Sequence, residues 1–132
     1  TLMQAGTQSF HDREYLAAAQ SFREAIPLDI DNALPRFSFA HALFALGDYE
    51  NAAYNIRRGL DLMPDWVTSG NNLWAAYSDR RDLQDQRAAL SSWCKLNPTD
   101  GESLATLGYV DFKRHAGYPR VLDQRGRVEL RP

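Results

Sequence analysis

Cysteine occurs once in the 132 residues, so no disulfide can form within the chain. That residue, Cys94, stands among apolar positions of a helical pattern and reads as a small buried hydrophobe rather than a reactive thiol. Long apolar runs are missing as well, which excludes a membrane-spanning helix, and no stretch has the layout of a secretory signal peptide. An excess of basic charge is missing too. Fifteen Lys and Arg against 17 Asp and Glu leave a net charge of −2, which provides no field for nucleic acid or for an anionic membrane surface. Chemical motifs are scarcer still. There is no glycine-rich phosphate loop, no nucleophile elbow and no HExxH, and His11, His41 and His115 lie far apart without cysteine or carboxylate partners at metal-ligand spacing. The expectation is a chain with no catalytic residues, no metal and no cofactor.

What the sequence does contain is centred on Phe39 to Pro64. From about Ala33 to Leu46, Phe39, Leu43 and Leu46 recur at helical spacing, and Phe37, His41 and Phe44 do so on an adjacent face. Gly47-Asp48 ends that helix, because glycine enters the left-handed conformation of a helix end at little steric cost. A second helix over Tyr49 to Leu62 places Tyr49, Ala52, Ala53, Ile56 and Leu60 on one stripe and leaves Glu50, Asn51, Asn55, Arg57, Arg58 and Asp61 wet. Pro64 prevents its continuation.

Such a pair cannot bury its own apolar surface and needs neighbours. A shift of 34 residues lays Ala18 on Ala52, Tyr15 on Tyr49 and Phe22 on Ile56, and in the other direction Phe39 on Leu73, Leu62 on Leu96 and Pro64 on Pro98. In spacing and residue type this resembles the tetratricopeptide repeat, a helix–turn–helix of 34 residues with small residues at fixed places and proline near its end. The resemblance implies an all-α fold: a right-handed superhelix of antiparallel helix pairs, with about seven helices. Its repeat domain would span residues 1–116, with units at about 1–32, 33–66 and 67–100 and a capping helix at 101–115. An irregular tail would occupy residues 117–132. The chain begins part-way into the first unit by this phase, so a preceding segment is expected. The compartment is left open, with the cytoplasm favoured over secretion.

Local departures from the repeat carry further expectations. Arg13 stands in a turn where the family has glycine, and Pro27 should end the second helix near Ile26. Asp31-Asn32 can cap the next helix. In the third unit Trp74, Gln86 and Trp93 occupy places where the family prefers small residues, which predicts a wider helix crossing filled by Trp74 and Trp93. Trp66 is expected to cover an edge of the core. Thr99 to Glu102 has capping-box spacing and should open the last helix, with Leu104, Leu107, Gly108 and Asp111 at the repeat's phase. The tail holds four arginines against two carboxylates, a net +2. Set against −2 overall, the helical body carries −4.

By the same resemblance the first helices of successive units line a concave groove. This assigns Met3, Thr7, Phe10 and His11, then Leu34, Phe37, His41 and Phe44, then Thr68, Asn71, Ala75, Ser78 and Asp79. From the last helix come Glu102, Ala105, Tyr109, Phe112 and Lys113. The candidate partner-binding set is Met3, Phe10, Phe37, His41, Phe44, Asn71, Asp79, Tyr109 and Phe112. A run of rings along a groove suggests a non-catalytic scaffold that holds a peptide segment of a protein partner. The alternatives are burial of those rings between adjacent helices, a self-associating structural module that would make the chain a homodimer, and a secretion-type chaperone for an export substrate. Nucleic acid and membrane insertion are not expected.

Overall fold

The computed structural model describes residues 1–114, 120–122 and 128–130. Six α-helices form among them: α1 (Leu2–His11), α2 (Tyr15–Ala25), α3 (Leu34–Ala45), α4 (Tyr49–Leu62), α5 (Arg80–Leu96) and α6 (Gly101–Arg114). Two three-residue strands follow, β1 (Arg120–Leu122) antiparallel to β2 (Val128–Leu130), with Arg120 opposite Leu130. The body is all-helical, as the sequence predicts. The expected irregular tail lies partly in these strands, and the rest of it is outside the described residues.

Local chemistry sets the helix ends. Thr1 closes a capping box with Gln4, Asp48 caps α4 by accepting from the Asn51 amide, and Asn32 accepts from the Leu34 amide at the start of α3. Pro27 falls in a 3-10 turn over Ile26–Leu28, directly after α2. The two turns inside the first helix pairs share one backbone device. Gly47 has φ +85°, and Arg13, 34 residues earlier, has φ +65° in the same left-handed region. Arginine is disfavoured there, since its Cβ crowds the backbone. It is held by two hydrogen bonds from its guanidinium to Asp82 on α5, at 2.8 and 3.0 Å, and Tyr15 donates to the same carboxylate at 2.6 Å.

Packing follows from small residues facing rings. α1 lies on α2, α2 on α3, and α3 on α4. Gly6 of α1 touches the Phe22 ring so closely that a Cβ would sit 2.5 Å from it, and Gly59 of α4 meets Phe37 at 2.7 Å in the same way. Ala18, Ala40 and Ala52 are fully buried in these crossings. Asn55, expected on the wet face of α4, is buried instead, where its side-chain oxygen accepts from Arg36 at 3.1 Å and its amide donates to the Asn51 carbonyl.

The third pair departs from expectation. Where an α-helix was expected after Val67 there is a loop and one 3-10 turn, Leu73–Ala76. Thr68 and Ser69 turn their hydroxyls back onto the Asp65 and Trp66 carbonyls, and Asn72 accepts from the Trp74 amide, so local side-chain bonds replace the helical ladder. With so little helix there, the crossing that Trp74 and Trp93 were to fill does not exist. Trp93 is 45% exposed and donates to Asp100 at 2.8 Å, while Trp74 rests half-buried on the core with the Arg80 guanidinium 5.1 Å from its ring.

α6 packs against α4 and α5 and is turned relative to the repeat's phase. It buries Ser103, Thr106, Tyr109, Val110 and Lys113, leaving Leu104 and Gly108 outside. Its cap is Asp100, which accepts from the Ser103 amide and hydroxyl, rather than Thr99.

Candidate functional site

Two neighbouring hollows lie on the side of the body where α1 faces the Leu73–Ala76 turn. The outer one is an open groove of about 480 Å³, lined by Met3, Gln4, Thr7, Gln8, His11, Ala75 and Ala76. Residues 3, 7 and 11, and 4 and 8, fall one helical turn apart, so α1 presents a continuous strip to it. The inner one is a cavity of about 70 Å³ lined by Thr7, Phe10, Phe22, Ser38, His41 and Ala76. Thr7 and Ala76 line both, so the two hollows adjoin there. Phe10 meets Tyr77 edge-on at 4.9 Å and Tyr15 at 5.0 Å, which ties the 3-10 turn to the α1–α2 hairpin and keeps the groove's two walls in place.

Behind the cavity runs a hydrogen-bonded chain of rings. His41 Nε2 is 2.8 Å from the Tyr109 hydroxyl, which in turn accepts from the Trp66 indole N–H at 2.8 Å. Trp66 stacks on Phe37 at 4.5 Å, with an interplanar angle of 11°. On the far side of Trp66 lies Lys113, 1% exposed, with its ammonium 4.5 Å from the indole centre. It donates to the Trp66 carbonyl at 3.0 Å and to Ser69 Oγ at 3.2 Å, with no carboxylate partner among the described residues. Burial lowers the Lys113 pKa and raises that of Tyr109. Burial first, and the Lys113 charge second, hold His41 down to about 3, so its imidazole is neutral near pH 7.

The residues singled out from sequence separate into groups. Met3 is on the groove wall, and Phe10 and His41 line the inner cavity. Thr7, His11 and Ala75, which the resemblance assigned to a concave groove, line the outer hollow. Phe37 and Phe44 are core, 1% and 2% exposed, and are corrected from groove wall to interior: Phe37 is taken up by Trp66 and Gly59, and both rings belong to the one buried cluster. Asn71 is exposed and donates to Ser69 at 3.3 Å. Asp79 caps α5 through the Arg81 amide, a structural task away from the groove. Tyr109 is buried in the ring chain, where α6's rotation puts it, and so is Lys113. Phe112, 44% exposed, and one side of Tyr109 line a third hollow, between α4 and α6, of about 350 Å³, with Ala53, Ile56, Leu60, Ala105 and Gly108.

Sequence reasoning missed Gln4, Gln8, Ser38 and Ala76, and it did not foresee the part of Trp66. The polar Ser69-Gly70-Asn71-Asn72 run was the available signal that the third unit would open beside α1. No group of three His, Cys, Asp or Glu side chains among the described residues is arranged to hold a metal ion. Nor is any described helix long and apolar enough to cross a membrane. No family model and no curated protein matches this sequence.

Proposed function

We propose that this chain is a non-catalytic helical scaffold, of tetratricopeptide-repeat type, that holds a peptide segment of a protein partner in the groove between α1 and the Leu73–Ala76 turn. The observation that carries the reading is the convergence of Met3, Thr7, His11 and Ala75, assigned to a groove by resemblance, on one open hollow of about 480 Å³. The 34-residue spacing of the two left-handed turn residues supports the repeat assignment. The groove is mixed in character, with a thioether, two glutamines, a threonine and a histidine in place of a row of rings. A peptide would therefore use main-chain hydrogen bonds to the glutamines as well as apolar anchors. Rigid walls save part of the ordering cost of association.

Selection of displayed peptides against the whole chain tests this. Binders should lose affinity for Met3→Glu and Ala75→Arg variants whose helicity is unchanged. Binders indifferent to both substitutions would defeat the proposal.

A second reading, self-association, is favoured by the outward face of α6. Gly101, Leu104, Ala105, Gly108 and Phe112 form that face, all exposed and none charged. Light scattering across a concentration series separates the two: a mass fixed at one chain would remove the second reading.

A further inference from the structure

The hydrogen-bond chain behind the inner cavity fixes which nitrogen of His41 carries its proton. An indole N–H can only donate, so the Tyr109 oxygen accepts from Trp66. Tyr109 has a single hydroxyl hydrogen, and His41 Nε2 is the one described acceptor in reach, at 2.8 Å. If Nε2 were the donor, the Tyr109 hydrogen would be left without a partner at 8% exposure, a costly arrangement. Tyr109 therefore donates and Nε2 accepts. The Trp66 donation polarises the phenol and strengthens that bond. In a neutral imidazole the remaining proton then sits on Nδ1.

That Nδ1–H has no acceptor among the described residues, while His41 forms part of the cavity wall with Ser38 and Thr7. Phe10 and Phe22 supply apolar walls, and Thr7 and Ala76 line both the cavity and the groove. At about 70 Å³ the space suits a short side chain rather than a ring or a long one. Lys113 adds a positive charge on the far side of the ring chain, unmatched by any described carboxylate. A cationic side chain is opposed there, and an oxygen bearing full or partial negative charge is favoured.

We infer that the cavity is the groove's specificity subsite, taking a short side chain that ends in a carbonyl-type oxygen, a carboxamide or a carboxylate, which accepts a hydrogen bond from His41 Nδ1. This rests on the reading of the groove as a peptide site. The shared chemistry is an sp² oxygen acceptor on a one-carbon stem, and Asn-bearing and Asp-bearing peptides distinguish its two sources.

Two measurements on the full chain test it. Long-range ¹⁵N–¹H spectra of the imidazoles should show His41 as the neutral Nδ1–H tautomer near pH 7; an Nε2–H tautomer or an imidazolium would overturn the inference. Peptides selected for binding, and counter-screened on Met3→Glu to define groove binders, should be enriched in Asn or Asp at one position and depleted of Lys and Arg there. Replacing that residue with the near-isosteric Leu in the peptide, with the protein untouched, should weaken binding roughly tenfold. Groove binders with no such position, or with no loss on the change to Leu, would overturn the subsite while leaving the peptide groove standing. A selection that yields no groove binders would overturn both.

Discussion

Phe37 and Gly59 offer the sharpest test of the packing scheme, because the ring of one occupies the space a side chain on the other would need. A Cβ built on Gly59 lies 2.7 Å from two atoms of the Phe37 ring, and Phe37 itself is 1% exposed and stacked on Trp66. Phe37→Ala should cost about 3–5 kcal/mol, combining lost transfer free energy, a cavity and a broken ring pair. Gly59→Ala alone sets a helix-propensity gain of about 1 kcal/mol against an overpacking cost of about 1–3 kcal/mol. In a double-mutant cycle the propensity gain cancels, since it is present in both backgrounds. The coupling that remains is the relieved overlap, about 1–3 kcal/mol in favour of the double variant. Urea denaturation followed by far-ultraviolet circular dichroism gives all four free energies. Should Phe37→Ala leave too little folded protein, Phe37→Leu replaces it in the same cycle. Additive effects of the two substitutions would refute the proposed ring-on-glycine contact. So would a Phe37 variant that keeps its full stability, which would return the ring to the groove wall.

Acid should weaken the fold through His41. Its folded pKa is held down to about 3 against 6.5 when unfolded, so between those values the unfolded chain binds more protons. Stability is complete above pH 6.5 and falls as pH drops towards 3, with a limiting slope of about 1.4 kcal/mol per pH unit, and His41→Gln should flatten that part of the urea-midpoint profile. Arg13→Gly removes left-handed strain but also the Asp82 ion pair, so its benefit should appear as a raised melting temperature only in an Asp82→Asn background. Cys94 is buried and burial pushes its thiol up, so alkylation should be slow in the native chain and become fast on adding denaturant; equal rates would contradict its placement.

The first two helix pairs were legible because each boundary has a local cause: Asp48 caps, Gly47 turns, and Pro27 and Pro64 break. The alanine periodicity also named the small residues of the crossings there, Ala18 and Ala52 among them, whereas Phe37 and Phe44 were misplaced on the groove wall. Legibility ended at Val67, where hydroxyl and amide side chains bond to their own backbone and undo a helix that the hydrophobic pattern alone would continue. The rotation of α6 follows from that loss. It packs directly on α4, with Thr106 donating to the Tyr49 carbonyl and Lys113 reaching the Trp66 carbonyl. No periodicity rule would bury a lysine in preference to a leucine, yet Lys113 is interior and Leu104 is not. The groove was half-readable for the same reason. Its α1 strip follows from helical phase, whereas the opposing wall depends on a turn whose position is set by contacts distant in sequence.

Where a bound peptide touches the chain decides between the groove beside α1 and the hollow between α4 and α6. Backbone amide shifts recorded during titration with a selected peptide should move most at Met3, Thr7, His11 and Ala75, with His41 following as the inner cavity fills. Shifts confined to Ala53, Ala105, Gly108 and Phe112, which line that hollow, would contradict the proposed site and place recognition there instead.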